Sequence, residues 1–524
     1  MHGNDYSVFD IMGPIMIGPS SSHTCGPVRI GLLAGQLCDY QPKTIHISMH
    51  GVLACTYTAH KTDAALIAGM LGLKIDDEQI PNALCLARNK GIKVTFEKTV
   101  LQNAHPNTVV IKFTDQVDKK FEIRACTIGG GNIILEEING YKVDLDGKGN
   151  YLIAILRNEE EKMFKEKIIE LLGKDMLNYS YYRTNHLFVY KIETTNKLNI
   201  NTLKKIQSFT FKKEVYMING IIPSTNKNIH FFNSVQELVE TSQKNNCLIS
   251  DTVLRYESLK SNSNTTMVFK EMENIYDIME VAIFKGIEKE NKLLGNLFAN
   301  NAKKINNFQN ESKSLCGSGM SKVIRNALAV MEVNSSMGKI AACPTAGSCG
   351  TIPAALTVCK EKGITKNKIV QAFFTGAGIG MVIAKNASIS GGISGCQAEI
   401  GSASAMAAAI LTEVFGGDYA QIDSAVALTL GNMLGLVCDP AAGMVEIPCI
   451  QRNTIAALNA ICCAEMALAG VNSIIPADEM IGAMKEVGRI MPPSLKCTLE
   501  AGISNTPTAR KIEQSLGKFA NNYS

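Results

Sequence analysis

The sequence has almost no excess of charge of one sign, since 52 lysines and arginines are interspersed with 48 acidic residues. Its formal net charge is +4, and no basic arm or stripe stands out along the chain. A protein that binds nucleic acid usually carries such a concentration of positive charge. The sequence therefore predicts no nucleic-acid partner.

The sequence also lacks a basic leader and long uninterrupted apolar runs. It begins MHGNDYSVFD, with acidic and polar residues where a signal peptide needs a basic start and an apolar run. The most apolar stretches, 424–438 and 454–475, contain polar side chains such as Asn432 and Glu465 and many small residues. They predict buried helices instead of membrane spans, so we expect a cytoplasmic protein with no membrane partner.

Without a signal for export, the 16 cysteines do not indicate a disulfide framework. A reducing compartment leaves thiols available as metal ligands or as ordinary core residues. The sequence has no internal repeat, heptad run or low-complexity tail, and its 524 residues exceed what one compact core needs. At ~150 residues per domain, this length predicts about three domains.

The first two expected domains differ in pattern. Residues 1–146 open with the glycine- and serine-rich GPSSSHTCGPVRIG and later alternate strand-like runs with charged turns, which predicts a mixed α/β domain. Residues 148–221 follow the order βαββαβ, which is that of a ferredoxin-like fold. This segment resembles an ACT domain, a module that binds small amino acids in many metabolic enzymes. A purely structural or dimerising unit is the alternative, because a fold alone does not fix a function.

The third expected domain, 229–524, follows a polar connector at 223–228 and has helical periodicity apart from the polar run 261–266. Between 341 and 480, charged residues are sparse and alanine and glycine are abundant. Such a segment must be largely buried, as helices packed closely through small residues. The predicted fold class is therefore multidomain, with an N-terminal α/β domain, a ferredoxin-like ACT domain and a mainly α-helical C-terminal domain.

Three cysteines stand in loops marked by glycine and proline: Cys396 in SGCQAEIG, and Cys438 and Cys449 at the two ends of CDPAAGMVEIPC. Pro440 and Pro448 make the last segment a poor helix, so its ends can approach each other. The spacing is not that of a C-x-x-C knuckle, so only tertiary folding could unite the three thiols. Three thiolates on a 4Fe-4S cluster would leave one iron without protein sulfur. An open iron is a Lewis acid that can assist departure of a hydroxyl group.

Two other interpretations remain open for these cysteines. Cysteine is among the most frequently buried residue types, and 16 cysteines give chance clusters in a core. A zinc site with three thiolate ligands is also permitted by ligand type. Spacing alone does not decide between core thiols, zinc and an iron-sulfur cluster.

Five segments taken together resemble the bacterial iron-sulfur L-serine dehydratases. In order along the chain they are GPSSSHTCGPVRIG, HGVLACTYTAHKTDAALIAG, CPTAGSCGTIPAAL, GGISGCQAEIGSASAMAAA and VCDPAAGMVEIPCIQRN. The resemblance covers nearly the whole chain, as a β-subunit-like part with its ACT domain followed by an α-subunit-like part. Some relatives keep these parts as two separate polypeptides. Five ordered motifs form a far more specific signal than any one of them.

The resemblance implies a 4Fe-4S cluster with Cys396, Cys438 and Cys449 as its three ligands. Some single-chain relatives end in a further cysteine that occupies the open iron, whereas this sequence ends GKFANNYS and has no counterpart there. Cys343 and Cys349, in the CPTAGSCG loop, do not match ligand positions and are expected to support the site or pack in the core. No local lysine signature for pyridoxal phosphate is evident, which agrees with chemistry that does not need that cofactor.

The GPSSSHT segment supplies hydroxyl groups, and its Gly18 and Pro19 favour a turn that aims backbone N–H groups at an anion. An ordinary loop with a helix cap is the alternative from this local sequence, because serine is a favoured cap. The resemblance implies that Ser20 and Ser22 bind the substrate carboxylate and that His23 takes part in catalysis.

His60, in TAHKTD, is one of eight histidines, and a structural role is the alternative to catalysis. It matches a histidine of the family's G-H-G-T-D-like motif, although Lys61 stands where the second glycine is usual. The resemblance implies that His60 acts as base or proton donor. Thr345 and Gly347, in PTAG, match a loop that approaches substrate, whereas Ala346 stands where some relatives have asparagine. Three charged residues near the ligands are expected to form structural ion pairs: Glu399, Glu446 and Arg452.

The resemblance therefore implies an L-serine dehydratase, which eliminates water from L-serine to give pyruvate and ammonia. The expected partners are L-serine, an amino acid at the ACT domain, and a second copy of the chain in a homodimer. Two other functions remain open. One is a related iron-sulfur L-cysteine desulfidase, from which sulfide leaves in place of hydroxide; the other is an amino-acid-sensing regulator whose working part is the ACT domain.

Overall fold

A computed structural model of the chain describes residues 6–184, 187–208, 210, 214–223, 229–310 and 314–520. Residues 224–228 of the expected connector and the last four residues of GKFANNYS lie outside this range. The described residues form two compact units. The helical unit combines the described parts of Met1–Thr24, Thr58–His60 and Thr225–Ser524, and the α/β unit those of Cys25–Tyr57 and Lys61–Ser224.

The strands of the described residues are, in chain order, β1 (Ile15–Ile17), β2 (Thr44–His50), β3 (Lys93–Thr99), β4 (Thr108–Thr114), β5 (Lys120–Gly129), β6 (Asn132–Ile138), β7 (Tyr141–Leu145), β8 (Asn150–Arg157), β9 (Met176–Arg183), β10 (Leu187–Thr194), β11 (Val215–Ile218) and β12 (Lys339–Ala341). They form a two-stranded sheet of β1 and β12, a six-stranded sheet and a four-stranded sheet.

The α-helices of the described residues are α1 (Gly26–Gln36), α2 (Gly51–Thr56), α3 (Thr62–Met70), α4 (Ala83–Asn89), α5 (Glu161–Leu172), α6 (Ile200–Ser208), α7 (Val235–Lys244), α8 (Ile249–Lys260), α9 (Thr265–Glu288), α10 (Asn301–Asn310), α11 (Gly317–Ser335), α12 (Thr351–Ala355), α13 (Thr357–Glu361), α14 (Lys366–Asn386), α15 (Gly391–Ser394), α16 (Ser402–Val414), α17 (Tyr419–Gly431), α18 (Cys449–Leu468), α19 (Ala477–Ile490) and α20 (Pro507–Ala520). The helices from α7 onward belong to the helical unit.

The α/β unit contains the six-stranded sheet, in the order β3-β2-β4-β5-β6-β7. Strand β2 is parallel to β3 and antiparallel to β4. Ile45, Ile47 and Met49 of β2 are buried at alternate positions, as expected for a strand with one face on a core. The predicted N-terminal α/β region is confirmed for this unit.

The remainder of the α/β unit follows the element order β8-α5-β9-β10-α6-β11. Its four-stranded sheet has the order β11-β8-β10-β9, with all neighbouring strands antiparallel. Phe164 of α5 and Ile206 of α6 pack with Leu152, Leu156 and Tyr190 of the strands in a hydrophobic core of their own. The Tyr190 hydroxyl donates to a Glu161 carboxylate oxygen at 2.7 Å, which satisfies the one polar atom that this ring brings into the core.

Helices α14 and α16 lie in the core of the helical unit, and every side chain of α16 is buried. Small residues allow their close approach: a Cβ added to Gly376 of α14 would lie 2.7 Å from the Ile410 side chain of α16. Among the described residues, α14 is the one helix long and apolar enough to cross a membrane, but 78% of its apolar window is buried within the structure. It is a core helix, and the predicted packing through small residues is confirmed.

The N-terminal segment belongs to the helical unit and not to the α/β unit that follows it in sequence. Val8, Ile11 and Met12 are fully buried in the helical core, and β1 pairs antiparallel with β12. The Ser7 hydroxyl and the Val8 N–H donate to the two carboxylate oxygens of Glu257 on α8, at 2.8 and 2.9 Å. These contacts fix the chain that leads directly into the serine-rich loop.

Candidate functional site

Four cysteines converge in the helical unit and are called the cysteine group here: Cys396, Cys438, Cys449 and Cys497. Cys396 and Cys438 lie in one small apolar cluster, and Cys497 packs against it. The sulfur atoms of Cys396 and Cys438 and a carboxylate oxygen of Glu399 all lie within 4.8 Å of one another. Cys396 and Cys438 are only 3% and 7% exposed. Tertiary folding therefore unites thiols that are far apart in sequence.

Two members of the cysteine group stand at the beginnings of helices. Cys449 is the first residue of α18, and Cys396 precedes the π-helical turn Gln397–Gly401 that continues into α16. The N-terminus of a helix carries a partial positive charge, which stabilises a thiolate or another anion placed there. The segment between Cys438 and Cys449 is a loop with one 3-10 turn, Ala441–Gly443, so the loop predicted from its prolines is confirmed.

Two thiols of this group, those of Cys438 and Cys449, are strongly disfavoured as anions when no cation is bound. Hydrogen bonds with the Cys396 and Cys497 thiols, followed by burial, hold the pKa of Cys438 well above its ordinary value. Burial, together with Cys396 and Glu399, raises the pKa of Cys449 in the same way. A bound cation reverses this effect, because a coordinating thiol is deprotonated outright. The donor set therefore fits a thiolate-ligated metal centre.

Arg452 forms a buried ion pair beside the cysteine group. Its Nη2 lies 2.9 Å from Asp439 Oδ1, and its Nη1 donates to the Val437 carbonyl at 2.7 Å. The ion pair predicted for Arg452 is confirmed. Glu446 instead accepts backbone N–H groups of Gly295 and Leu297 at 2.6 and 2.7 Å, so it anchors a loop.

Glu399 connects the cysteine group to the PTAG loop. It accepts hydrogen bonds from the Thr345 hydroxyl and the Gly391 N–H, whereas burial raises its pKa to about 7. A Cβ added to Gly391 would lie 2.8 Å from Glu399 Oε2 and 3.3 Å from Cys438 Sγ, so a side chain at this position would displace the Glu399 carboxylate. A Cβ on Gly347 would lie 3.4 Å from the same carboxylate oxygen. The ion pair expected for Glu399 is replaced by these uncharged donors.

Asn453 ties the PTAG loop to the first turn of α18. Its Nδ2 donates to the carbonyls of Gly347 and Cys449, both at 2.9 Å. Its Oδ1 accepts from the Gly350 N–H at 3.1 Å and from the Thr351 hydroxyl at 3.0 Å. Because all four of these hydrogen bonds are formed, the buried Asn453 amide fixes the PTAG loop relative to the first turn of α18. Sequence reasoning missed this residue, although it lies in the quoted CIQRN motif one turn after Cys449.

The serine-rich loop contacts the PTAG loop directly. The Ser21 hydroxyl accepts the Ala346 N–H at 2.8 Å. Ser20 Oγ accepts the His23 N–H at 3.2 Å and lies 3.3 Å from His23 Nδ1. Ser22 is half-buried in the same turn. The Ser21 side chain therefore joins the two loops that are expected to bind substrate, although Ser21 was not among the predicted site residues.

The two predicted catalytic histidines stack on each other. The rings of His23 and His60 have centroids 4.6 Å apart and an interplanar angle of 24°. The Thr24 hydroxyl donates to the His60 carbonyl at 3.0 Å, which holds this short segment in the helical unit. Burial and the neighbouring His60 lower the pKa of His23 well below its ordinary value. His23 is consequently a neutral imidazole at neutral pH.

Cys343 and Cys349 are fully buried, and Cys349 Sγ lies 3.7 Å from Met331 Sδ. The prediction that they pack in the core is confirmed. Cys497 was missed by sequence reasoning, although it also stands near prolines, in PPSLKC. Its position in the sequence gives no sign that it lies near the other thiols. Backbone hydrogen bonds between the Cys438 segment and residues 495–497 bring it to them.

Ser21→Ala is expected to lower the melting temperature by a few degrees and to raise the KM for substrate more than it changes kcat. The substitution leaves the fully buried Ala346 N–H without its acceptor, which costs about 1–3 kcal/mol. Thermal unfolding and initial rates measure the two effects. Ser515→Ala, at an exposed position of α20, is the matched control. Unchanged melting temperature and KM would contradict the positioning role.

Comparison with known proteins identifies two family segments in this chain. Residues 7–138 match the family model of the serine dehydratase beta chain, and residues 244–504 that of the serine dehydratase alpha chain. A probable L-serine dehydratase alpha chain of Bacillus subtilis is 43% identical over 286 residues, which are 54% of this chain and 95% of that protein.

Two single-chain relatives match nearly the full length. L-serine dehydratase of Helicobacter pylori strain J99 is 29% identical over 517 residues, covering 96% of this chain and 99% of its own. L-serine dehydratase TdcG of Escherichia coli K12 is 29% identical over 514 residues, covering 95% and 98%. This chain therefore belongs to the serine dehydratase family, with a beta-type and an alpha-type segment in one polypeptide.

Proposed function

We propose that this protein is an L-serine ammonia-lyase, which removes water from L-serine and yields pyruvate and ammonia. Relatives that carry the name L-serine dehydratase match nearly the whole chain. The observation that carries the proposal is one continuous set of contacts in the helical unit. It runs from the serine-rich loop through Ser21 and Ala346 to Thr345, then through Glu399 to Cys438.

The cysteine group supports a 4Fe-4S cluster as the resident metal centre. Cys396, Cys438 and Cys449 supply three thiols, two of them at helix N-termini, and the Arg452 guanidinium lies beside them. These positive charges favour a cluster carrying several thiolates. When bound, the cluster would supply a Lewis acid that assists departure of the substrate hydroxyl group. A zinc ion held by the same thiols remains the competing metal.

The chain's own residues bind the substrate and move its proton. Ser20 and Ser22 bind the carboxylate of L-serine, and Thr345 and Gly347 position the reacting end near the cysteine group. His60 takes the proton from Cα, while hydroxide leaves Cβ, so that one molecule of water is lost in total. The aminoacrylate that remains tautomerises to an imine, which hydrolyses to pyruvate and ammonia. His23, a neutral imidazole stacked on the His60 ring, is proposed as the second catalytic histidine.

The module from β8 to β11 is proposed to be an ACT domain that binds a small amino acid. Its support is the βαββαβ element order and the independent core formed by its helices and strands. We also propose a homodimer in the cytoplasm, a compartment whose reducing conditions suit a protein with many thiols. The same module favours one further candidate function, an amino-acid-sensing regulator without catalytic activity.

Anaerobic purification with iron and sulfide analysis, followed by a serine-to-pyruvate assay, tests the proposal. We expect about four iron atoms and four sulfides per chain, as for one 4Fe-4S cluster, together with serine-dependent pyruvate formation. The assay should be repeated with L-cysteine, because faster sulfide release from cysteine would identify a desulfidase. Amino-acid binding without turnover of either substrate would identify the regulator. Stoichiometric zinc without iron would reject the iron-sulfur centre.

A further inference from the structure

We propose that Cys497 is a fourth thiol ligand of this centre and occupies the cluster corner that Cys396, Cys438 and Cys449 leave open in the resting enzyme. The inference rests on the proposed function, since it requires the cluster. Its direct support is a packing contact: Cys497 lies against the small apolar cluster that contains Cys396 and Cys438.

Backbone contacts hold the Cys497 segment against the Cys438 segment. The Cys438 N–H donates to the Leu495 carbonyl at 2.9 Å, and the Cys497 N–H donates to the Cys438 carbonyl at 2.7 Å. These two bonds form an isolated parallel bridge between Cys438 and Lys496. The main chain of the Cys438 segment therefore fixes the position of the Cys497 thiol. No long, flexible side chain is needed to bring this thiol to the site.

The chain beyond Cys497 is anchored to the same loop. The Ile503 N–H donates to Asp439 Oδ2 at 2.8 Å, while Asp439 Oδ1 pairs with Arg452. Arg510 Nη2 donates a hydrogen bond to the Leu499 carbonyl at 2.8 Å. Cys497 therefore lies in a short segment fixed on both sides, which keeps its thiol at the cysteine group.

Ligand chemistry favours Cys497 over the other donor at the site. Iron-sulfur clusters are usually held by four cysteine thiolates, and soft thiolates suit them better than hard carboxylates. The carboxylate of Glu399 is already engaged by the Thr345 hydroxyl and the Gly391 N–H. A thiol at this corner would protect the iron at rest, and L-serine would have to displace it before reaction.

Alkylation of the anaerobic holoenzyme with iodoacetamide, read by mass spectrometry, tests the ligation directly. We expect Cys497 to react at least about tenfold more slowly in the resting holoenzyme than after the cluster is removed with a chelator. Addition of L-serine should restore much of that reactivity. Cys462, an exposed cysteine of α18, is the internal control and should react equally in all three states. Equal alkylation of Cys497 with and without the cluster would overturn the proposal.

Loss of iron on oxidation gives a second, independent readout. Cys497→Ser and Cys497→Gly should lose one iron per cluster at least about tenfold faster than the wild type, with an EPR signal of a 3Fe-4S product. The glycine variant is included because Cys497 has a φ of 65°, where glycine is unstrained and the fold is retained. Cys462→Ser is the control. Equal rates of iron loss in variants and wild type would reject the fourth ligand, even in an enzyme that forms pyruvate from serine; absence of the cluster would instead reject the proposed function.

Discussion

Cys438→Ser should lower serine-dependent pyruvate formation by more than about 100-fold. Loss of a residue that only hydrogen-bonds to a metal ligand already lowers activity or metal affinity by up to about 100-fold, so loss of a ligand should lower it further. Cys438 is the thiol around which the cysteine group is arranged, since it contacts both Cys396 and Cys497. A serine hydroxyl is a hard donor that stays protonated near neutral pH, so it does not replace a thiolate on iron. Iron content and the visible absorbance of the cluster should fall with the activity.

The matched control is Cys462→Ser, because it makes the same chemical change at an exposed position of α18. Circular dichroism checks that both variants fold. The double variant Cys438→Ser/Cys497→Ser removes two proposed ligands, so any iron that the single variant retains should be lost from it. A Cys438→Ser enzyme with full activity and full iron content would show that Cys438 is not a ligand.

The helical core was predictable because it follows from the amino-acid composition of a long segment. Sparse charge and abundant small residues between 341 and 480 require close packing, and helices α14 and α16 show that packing at Gly376 and Ile410. The loop that ends at Cys449 was predictable from its prolines for a similar local reason. Both features depend on neighbours in sequence, where pattern and structure are most directly related.

The features that the sequence did not reveal all depend on long-range contacts. Glu399 was expected in an ion pair, but folding brings it the Thr345 hydroxyl and the Gly391 N–H as donors. The first 24 residues were grouped with the α/β domain that follows them, yet Val8, Ile11 and Met12 bury their side chains in the helical core. A motif identifies which residue types are present, whereas contacts made across hundreds of residues decide what those residues touch.

The electrostatics of the site follow from these long-range contacts. Burial and neighbouring thiols raise the pKa of Cys438 and of Cys449, so these two thiols are disfavoured as anions until a cation binds. The helix N-termini at Cys396 and Cys449 and the guanidinium of Arg452 supply positive charge around it. Metal binding and deprotonation of the thiols are therefore linked, and metal affinity should rise with pH.

His60→Gln should lower kcat by about 10²–10⁴-fold, the range expected for loss of a general acid or base, with a smaller change in KM. His60 is 3% exposed and stacks on His23, whose pKa is lowered by burial and by His60 itself. The ring centroids of these two buried imidazoles are 4.6 Å apart, so the rings would repel each other if both were protonated. The pair can therefore accept one proton from the substrate. Initial rates over a range of serine concentrations separate kcat from KM.

A kinetic isotope effect distinguishes proton transfer from a structural role. With serine deuterated at Cα, His60→Gln should show a larger primary isotope effect than the wild type, because removal of the proton becomes fully rate-limiting. Imidazole added to the solution should restore part of the activity if the cavity left by His60 admits it. His46→Gln, at a half-buried position of β2 in the α/β unit, is the control and should match the wild type. A His60→Gln enzyme that is slow but has an unchanged isotope effect would assign His60 to packing against His23, and the base would then lie elsewhere among the residues that line the loops.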